Sequence, residues 1–131
     1  MLSGVQDVHY CVRDMQRAVA FYRDVLGMRV LDSNDWWTSL EFFGARIGLH
    51  WTGGAAVPPV LHDERGARHG ATLTLRSTDL DADLGYLQKM GCPLLGRSDN
   101  PWGRLAALTD PDGNVLKLMQ PPPAASTKVP Q

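Results

Sequence analysis

The chain has 131 residues, of which 44% are hydrophobic and 21% are charged, and its formal net charge is -1. This composition is typical of a globular protein and excludes a disordered chain, and the small net charge excludes nucleic acid or an anionic membrane as an electrostatically attracted partner. No run approaches the ~18 apolar residues of a membrane helix and no secretory signal pattern opens the chain, so we expect a cytoplasmic protein without a membrane partner.

The first predicted module spans residues 5–51. Its β-rich run VHYCV is followed by Asp14, a residue type that caps helix N-termini, and then by apolar residues at three- and four-residue steps. This spacing predicts an amphipathic helix that ends at Gly27. Three strand-like runs follow, MRVLD, WWTSLEFF and ARIGLHW, with a turn at Gly44 between the last two.

The connector, residues 52–70, has the sequence TGGAAVPPVLHDERGARHG. Its Gly and Pro residues and its mixed charges predict a loop that joins two modules and contains no helix or strand. We expect the two histidines of this loop, His62 and His69, to be solvated.

The second module, residues 71–120, repeats the pattern of the first. The run TLTLR leads to Asp79 at an N-cap position, a leucine-rich stripe predicts a helix, and Gly91 ends it. The runs PLLGR, RLAALTD and NVLKLMQ are predicted strands, with the turn DPDGN between the last two. The chain is therefore βαβββ twice, with two equivalent helices, and the Pro-rich residues 121–131 are predicted to form a frayed tail.

The run AFYRDVLGM at 20–28, together with DPDGN at 110–114, resembles the vicinal-oxygen-chelate superfamily. That superfamily includes glyoxalase I, extradiol dioxygenases, epimerases and the fosfomycin- and bleomycin-resistance proteins. The resemblance covers about residues 5–120. It implies the glyoxalase/bleomycin-resistance fold: a single α+β domain, residues 1–131, in which the modules form a curved mixed sheet around a cavity, the cup.

The resemblance also implies a divalent metal ion held by four side chains, from the first and last strand of each module. The corresponding positions here are Asp7, Gly48, Thr72 and Lys117. Divalent ions prefer carboxylate or imidazole donors and are repelled by an ammonium group. We therefore expect no metal cofactor, which argues against glyoxalase I or extradiol dioxygenase activity.

One alternative metal site stays open. His9 and His50 each lie two residues beyond a lost ligand position, and they could hold a divalent metal in a shifted site. The second module offers only Thr74 and Met119 at the equivalent places, and these are poor partners for a hard divalent ion.

Strand alternation predicts the rest of the cup lining, because residues two apart point to the same side. On the four strands that carry the expected ligand positions, the cup-facing side chains are predicted to be His9, Cys11, Arg46, His50, Thr74, Arg76, Val115 and Met119. The intervening apolar residues, including Val8 and Trp51, are predicted to lie in the core. With Asp7 and Lys117 the cup holds three cations and one carboxylate, which favours an anionic ligand.

The two strand histidines are the candidate catalytic residues. His9 and His50 lie on strands that we expect to be parallel neighbours, where they could act as general acid and base or simply line a pocket wall. Of the adjacent Trp36 and Trp37, one should face the cup, and we assign this place to Trp37. Trp102 is predicted to cap the opening. Aromatic rings there suit planar ligands. Cys11 is expected to be buried and inert, without a disulfide.

We therefore expect a protein that binds a small anionic or aromatic molecule and either transforms it by acid-base chemistry or sequesters it. The predicted substrate-binding residues are Asp7, Arg46, Thr72, Thr74, Arg76, Lys117, Trp37 and Trp102. A metal-dependent lyase, isomerase or dioxygenase with a shifted site and a non-catalytic drug-sequestering resistance protein are the alternatives. We expect a homodimer, because such modules leave sheet edges that need pairing.

Overall fold

The computed structural model describes residues 1–63, 66–67 and 71–123. Contacts divide the chain into two compact units, the first formed by Met1–Pro59 with Asp110–Asn114 and the second by Val60–Thr109 with Val115–Gln131. The predicted solvation of His69 and most of the predicted tail lie outside the described residues. No helix in the described ranges is long and apolar enough to span a membrane.

The first unit contains one four-stranded mixed sheet and one helical segment. Strand β4 pairs in parallel with β1 and antiparallel with β3, and β3 pairs with β2, which gives the order β1-β4-β3-β2. The elements are β1 (Val8–Val12), α1 (Met15–Val19), a π-helical segment (Ala20–Val25), β2 (Arg29–Ser33), β3 (Trp37–Phe42) and β4 (Ala45–Trp51).

The second unit repeats this topology. Its sheet has the order β7-β10-β9-β8, with β7 parallel to β10 and the other pairs antiparallel, so the predicted βαβββ repeat and the two-module fold class are confirmed. The elements are β5 (His62–Asp63), β6 (Gly66–Ala67), β7 (Leu73–Arg76), α2 (Leu80–Lys89), β8 (Leu94–Asn100), β9 (Gly103–Thr109) and β10 (Val115–Gln120).

The two helices are not equivalent, so that part of the prediction is wrong. Both start at an aspartate whose side chain accepts a backbone hydrogen bond, from Arg17 N to Asp14 and from Ala82 N to Asp79. The first helix then widens into a π-helical segment. Phe21 and Tyr22 are both buried. A π-helical turn takes more residues than an α-helical one, so adjacent side chains diverge less and two neighbouring rings can both reach the core.

The connector also differs from its prediction as a loop without strands. Strands β5 and β6 pair antiparallel within it, and β6 contacts β9 and β10. Gly66 is buried and has a φ of 125°. Such short pairing depends on contacts with strands that are distant in sequence, and the local composition of the connector carries no signal for it.

Each sheet has a buried face that packs against its helix. In the first unit this core includes Val12 and alternate residues of β3 and β4, but Val8 is 43% exposed, so its predicted core position is wrong. Val8 begins the edge strand β1, and only the far end of that strand is buried. Cys11 is exposed, not buried as predicted, and neither it nor Cys92 is in a disulfide. The core residues of the second unit include Leu80, Leu84, Leu87, Leu108, Leu116 and Leu118.

The DPDGN turn packs within the first unit, although the repeat assigns it to the second module. The Tyr22 hydroxyl donates a hydrogen bond of 2.7 Å to Asp110 Oδ2, and Asn114 Nδ2 donates to the same oxygen and to the carbonyl of Cys11, each at 2.9 Å. Asp112 Oδ1 accepts a bond from Arg17 Nη2. The two sequence motifs that carry the family resemblance are therefore hydrogen-bonded to each other.

Candidate functional site

The candidate site lies on the face of the first sheet that points away from α1. Thr38 is fully buried, and its hydroxyl donates to Met15 Sδ at 3.2 Å, so Thr38 faces the helix. Its neighbours in β3, Trp37 and Ser39, point to the opposite side because side chains alternate along a strand. We call this opposite side, formed by β1, β4 and β3, the open face.

Three rings meet on the open face. The ring centroids are 5.4 Å apart for His9 and Trp37, 6.0 Å for Trp37 and His50, and 6.1 Å for the two histidines. Strand pairing explains this arrangement, because β1 and β3 flank β4 and Trp37 is the cross-strand partner of His50. We call these three residues the aromatic cluster. The predicted approach of the two histidines is thus observed.

A hydrogen bond and a glycine fix the position of the Trp37 ring. Trp37 Nε1 donates to Ser39 Oγ at 2.8 Å, on the same face of the same strand. The ring lies over Gly48, the residue of β4 that pairs with Ser39. Sequence reasoning did not single out Ser39, although its place two residues after Trp37 is the signal that could have identified it.

Charged groups border the cluster. Asp7 Oδ1 lies 3.7 Å from His9 Nδ1, and the Asp7 side chain is 21% exposed, against 48% for His9. Arg46 alternates with Gly48 and His50 along β4 and is exposed. Glu41, two residues after Ser39 on β3, pairs with Arg46 across the strands and lies 3.7 Å from Arg29. The open face therefore combines aromatic rings with charged groups of both signs.

The other predicted site residues belong to the second unit. Thr74 pairs with Lys117 across β7 and β10, and Lys117 is half-buried, with its side-chain carbons packed against Gly66 of the connector. Arg76 is exposed on β7, and Thr72 precedes that strand and is half-buried. One further residue, Trp102, is 58% exposed at the turn between β8 and β9. Val115, predicted to face the cup, is 4% exposed instead.

The first unit also has an open groove of about 1090 Å³ that the sequence did not predict. The indole of Trp36 lies 4.8 Å from that of Trp51, centroid to centroid, and Trp51 Nε1 donates to the carbonyl of Arg13. Trp51 is half-buried, not a full core residue as predicted. Arg17 and Arg23 line the groove, but each is paired with an aspartate.

The residues at the expected metal-ligand positions do not fit a divalent ion. Gly48 has no side chain, Thr72 offers a neutral hydroxyl, and Lys117 brings a positive charge. Across residues 1–63, 66–67 and 71–123, no three His, Cys, Asp or Glu side chains form a group that could hold a metal. His9 and His50 therefore lack a third donor among these residues.

The chain is similar to a known protein family and to solved structures. A family model described as Glyoxalase/Bleomycin resistance protein/Dioxygenase superfamily matches residues 4–118. TnmS3, an antibiotic binding protein from Streptomyces sp. CB03234, is 30% identical, with a TM-score of 0.65 over 92% of this chain and 97% of that one. No curated protein matches the chain.

Two further solved structures are similar in fold. A glyoxylase/bleomycin resistance protein/dioxygenase domain from Frankia sp. EAN1pec is 27% identical, with a TM-score of 0.69 over 92% of this chain and 93% of that one. The fosfomycin resistance protein FosX from Listeria monocytogenes is 15% identical, with a TM-score of 0.71 over 92% of this chain and 94% of that one. At this identity the likeness to FosX concerns the fold alone.

Proposed function

The chain belongs to the Glyoxalase/Bleomycin resistance protein/Dioxygenase superfamily, and from this premise we propose that it binds and sequesters a small aromatic molecule on the open face without a metal ion. The observation that carries the proposal is the aromatic cluster of His9, Trp37 and His50 at the place where the family resemblance implies metal ligands.

The chemistry of the cluster supports a planar ligand. An indole offers a large, rigid apolar surface with an electron-rich face, and stacked or edge-on ring pairs contribute about 0.5–1.5 kcal/mol beyond the area that they bury. The two imidazoles add polar nitrogen atoms at the border of the Trp37 ring, which can orient a ligand by hydrogen bonds. A ring system with polar substituents matches this combination.

Arg46 offers a binding group for an anionic substituent beside the cluster. Arg46 is exposed on the same face, and a guanidinium group binds carboxylate or phosphate groups through paired hydrogen bonds. Asp7 lies beside His9, and Glu41 is the cross-strand partner of Arg46, so carboxylates also border this face. In the second unit, Thr72, Thr74, Arg76, Lys117 and Trp102 remain predicted ligand-binding residues.

The similarity to TnmS3 supports binding over turnover. That protein is described as an antibiotic binding protein, and its 30% identity extends over 92% of this chain. A resistance role by sequestration needs only affinity for the ligand and no catalytic metal.

A thermal-shift experiment with three small probes tests the proposal. We expect 2-naphthoate, a planar aromatic anion, to raise the unfolding midpoint, and EDTA to leave this effect unchanged. Cyclohexanecarboxylate has the same charge without an aromatic ring and is expected to stabilise less. Equal stabilisation by the two carboxylates would contradict the role of the rings, and the strongest effect from the cation 2-naphthylmethylammonium would contradict the anionic preference.

Acid-base catalysis is a second candidate function, favoured by the approach of Asp7 to His9. A carboxylate near one imidazole nitrogen orients the ring and supports proton transfer by the other, and His50 supplies a second proton-transfer group 6.1 Å away, centroid to centroid. Recovery of the natural ligand distinguishes the candidates. Sequestration returns it chemically unchanged, whereas catalysis returns a product whose formation is lost in His9→Asn.

A further inference from the structure

We infer that Gly48 is the specificity-determining position of the open face, because its missing side chain allows the Trp37 indole to lie against the sheet. A side chain at position 48 and the observed Trp37 ring exclude each other. The part of this inference that concerns ligand choice rests on the proposed function. The structural part stands on the packing alone.

The backbone does not require glycine at this position. Gly48 lies in the middle of β4, is buried, and is not among the residues with a positive φ. Its backbone conformation is therefore open to any residue, and a larger residue would usually favour the strand. The reason for glycine must be the space that a side chain would fill.

The Trp37 ring fills that space. A Cβ atom at position 48 would overlap Cζ2 and Cη2 of Trp37 and would lie 3.1 Å from Cβ of His9. The indole cannot easily move aside, because its Nε1 donates a hydrogen bond to Ser39 and the two histidine rings lie next to it. Even an added methyl group must therefore displace the indole from the aromatic cluster.

Because of this packing, the aromatic cluster and a metal-ligating side chain at position 48 exclude each other. Position 48 is where the family resemblance implies a metal-ligating side chain, and such a side chain would need the volume that the indole occupies. Glycine at this place selects for ligands that contact a flat ring. The open face is therefore specific for planar aromatic molecules that contact the indole, not for ligands that chelate a metal.

The packing is tested without any ligand by Gly48→Ala. We expect the indole N–H resonance of Trp37, assigned from its loss in Trp37→Phe, to shift, and the unfolding midpoint to fall. The matched control is Gly85→Ala in α2, where an added Cβ meets nothing within 4 Å. This control should leave the Trp37 resonance unchanged and should not lower the midpoint.

A double variant keeps the test decisive if Gly48→Ala folds poorly. In Trp37→Ala the space above Gly48 is open, so adding Gly48→Ala to that background should no longer lower the unfolding midpoint. An equal loss in both backgrounds, or an unshifted Trp37 resonance in Gly48→Ala, would overturn the inference.

The third measurement is ligand binding. It distinguishes a failure of the specificity role of Gly48 from a failure of the proposed function. We expect Gly48→Ala to weaken 2-naphthoate binding by about tenfold or more, which corresponds to the loss of one good ring contact, while Gly85→Ala binds as wild type does. Unchanged binding in Gly48→Ala would overturn the specificity role. If the wild type itself binds no 2-naphthoate, the proposed function fails, and the resonance and midpoint results still decide the packing.

Discussion

Tyr22 and Asp110 form a buried polar contact between the two sequence motifs that carry the family resemblance. Tyr22 is fully buried and Asp110 is 3% exposed, and their side chains are hydrogen-bonded at 2.7 Å. Burial and the nearby Asp110 carboxyl raise the pKa of the Tyr22 hydroxyl well above its usual value. The hydroxyl therefore stays protonated and acts as a donor.

We predict that Tyr22→Phe destabilises the protein by about 1.5–3 kcal/mol, the usual range for a hydrogen bond to a charged group. The phenyl ring keeps the packing, so the loss reports the hydrogen bond. Chemical denaturation measures the free energy of unfolding. When Tyr22→Phe is introduced into Asp110→Asn, we expect a smaller loss of unfolding free energy than in the wild type. An equal loss in the two backgrounds would show that the two side chains are not coupled.

A second prediction concerns the pH dependence of stability. Burial raises the pKa of the Asp110 carboxyl above its usual value, although hydrogen bonds from Asn114 and Tyr22 oppose this. The folded state then holds its proton to higher pH than the unfolded state does. The contribution of this group to stability is complete below the unfolded pKa and falls as pH rises through the folded pKa.

Denaturation of wild type and Asp110→Asn from about pH 4 to about pH 8 tests this sign. The difference in unfolding free energy, wild type minus variant, should decrease with rising pH in the lower part of this range and then become constant. A difference that grows with pH would mean that the hydrogen bonds outweigh burial at this carboxyl.

At the scale of single residues, strand alternation predicted which side chains share the open face. It placed His9 and His50 together because both pairing strands have period two, and it required one of the two adjacent tryptophans to face the same way. It could not predict that Val8 and Cys11 are exposed, because exposure depends on which part of edge strand β1 is covered. The contact of Trp37 with Gly48 depends on two strands and one side-chain rotamer, which local patterns do not encode.

At the scale of secondary structure elements, the N-caps are the clearest local signals. Asp79 has an extended backbone with φ of -151°, and its Oδ1 accepts from Ala82 N at 3.1 Å. We predict that Asp79→Ala lowers stability by about 1 kcal/mol, whereas Asp79→Asn, which retains a side-chain acceptor, costs less. Thermal unfolding monitored by circular dichroism measures both, and equal losses would show that the charge matters more than the cap.

Two secondary structure features, the π-helical segment and the strand pair β5 and β6, could not be predicted from the sequence pattern. An apolar period of three to four residues fits both α- and π-helical turns, so it predicted the extent of the first helical segment but not its widening at Ala20. Strands β5 and β6 were missed because two-residue strands carry no periodicity. Strand β6 contacts β9 and β10, which are distant in sequence, and the connector sequence does not reveal these contacts.

At the scale of the whole molecule, we predict a homodimer. Each sheet is open, and apolar residues before and at the start of the edge strand β1 are exposed, Val5 by 85% and Val8 by 43%. Exposed edges and apolar side chains favour association with a second copy. Light scattering at tens of micromolar should give twice the chain mass, and Val8→Lys should shift the equilibrium towards monomer. A wild-type monomer at that concentration would contradict the prediction.

The central claim is that a flat aromatic ligand contacts the Trp37 ring, and calorimetric titration with 2-naphthoate tests it most directly. The matched variants are Trp37→Ala and Trp36→Ala, which remove adjacent indoles, only one of which belongs to the aromatic cluster. We predict that Trp37→Ala raises the dissociation constant for 2-naphthoate by about tenfold or more and that Trp36→Ala changes it little. Unchanged binding in Trp37→Ala, or an equal loss in both variants, would contradict the account.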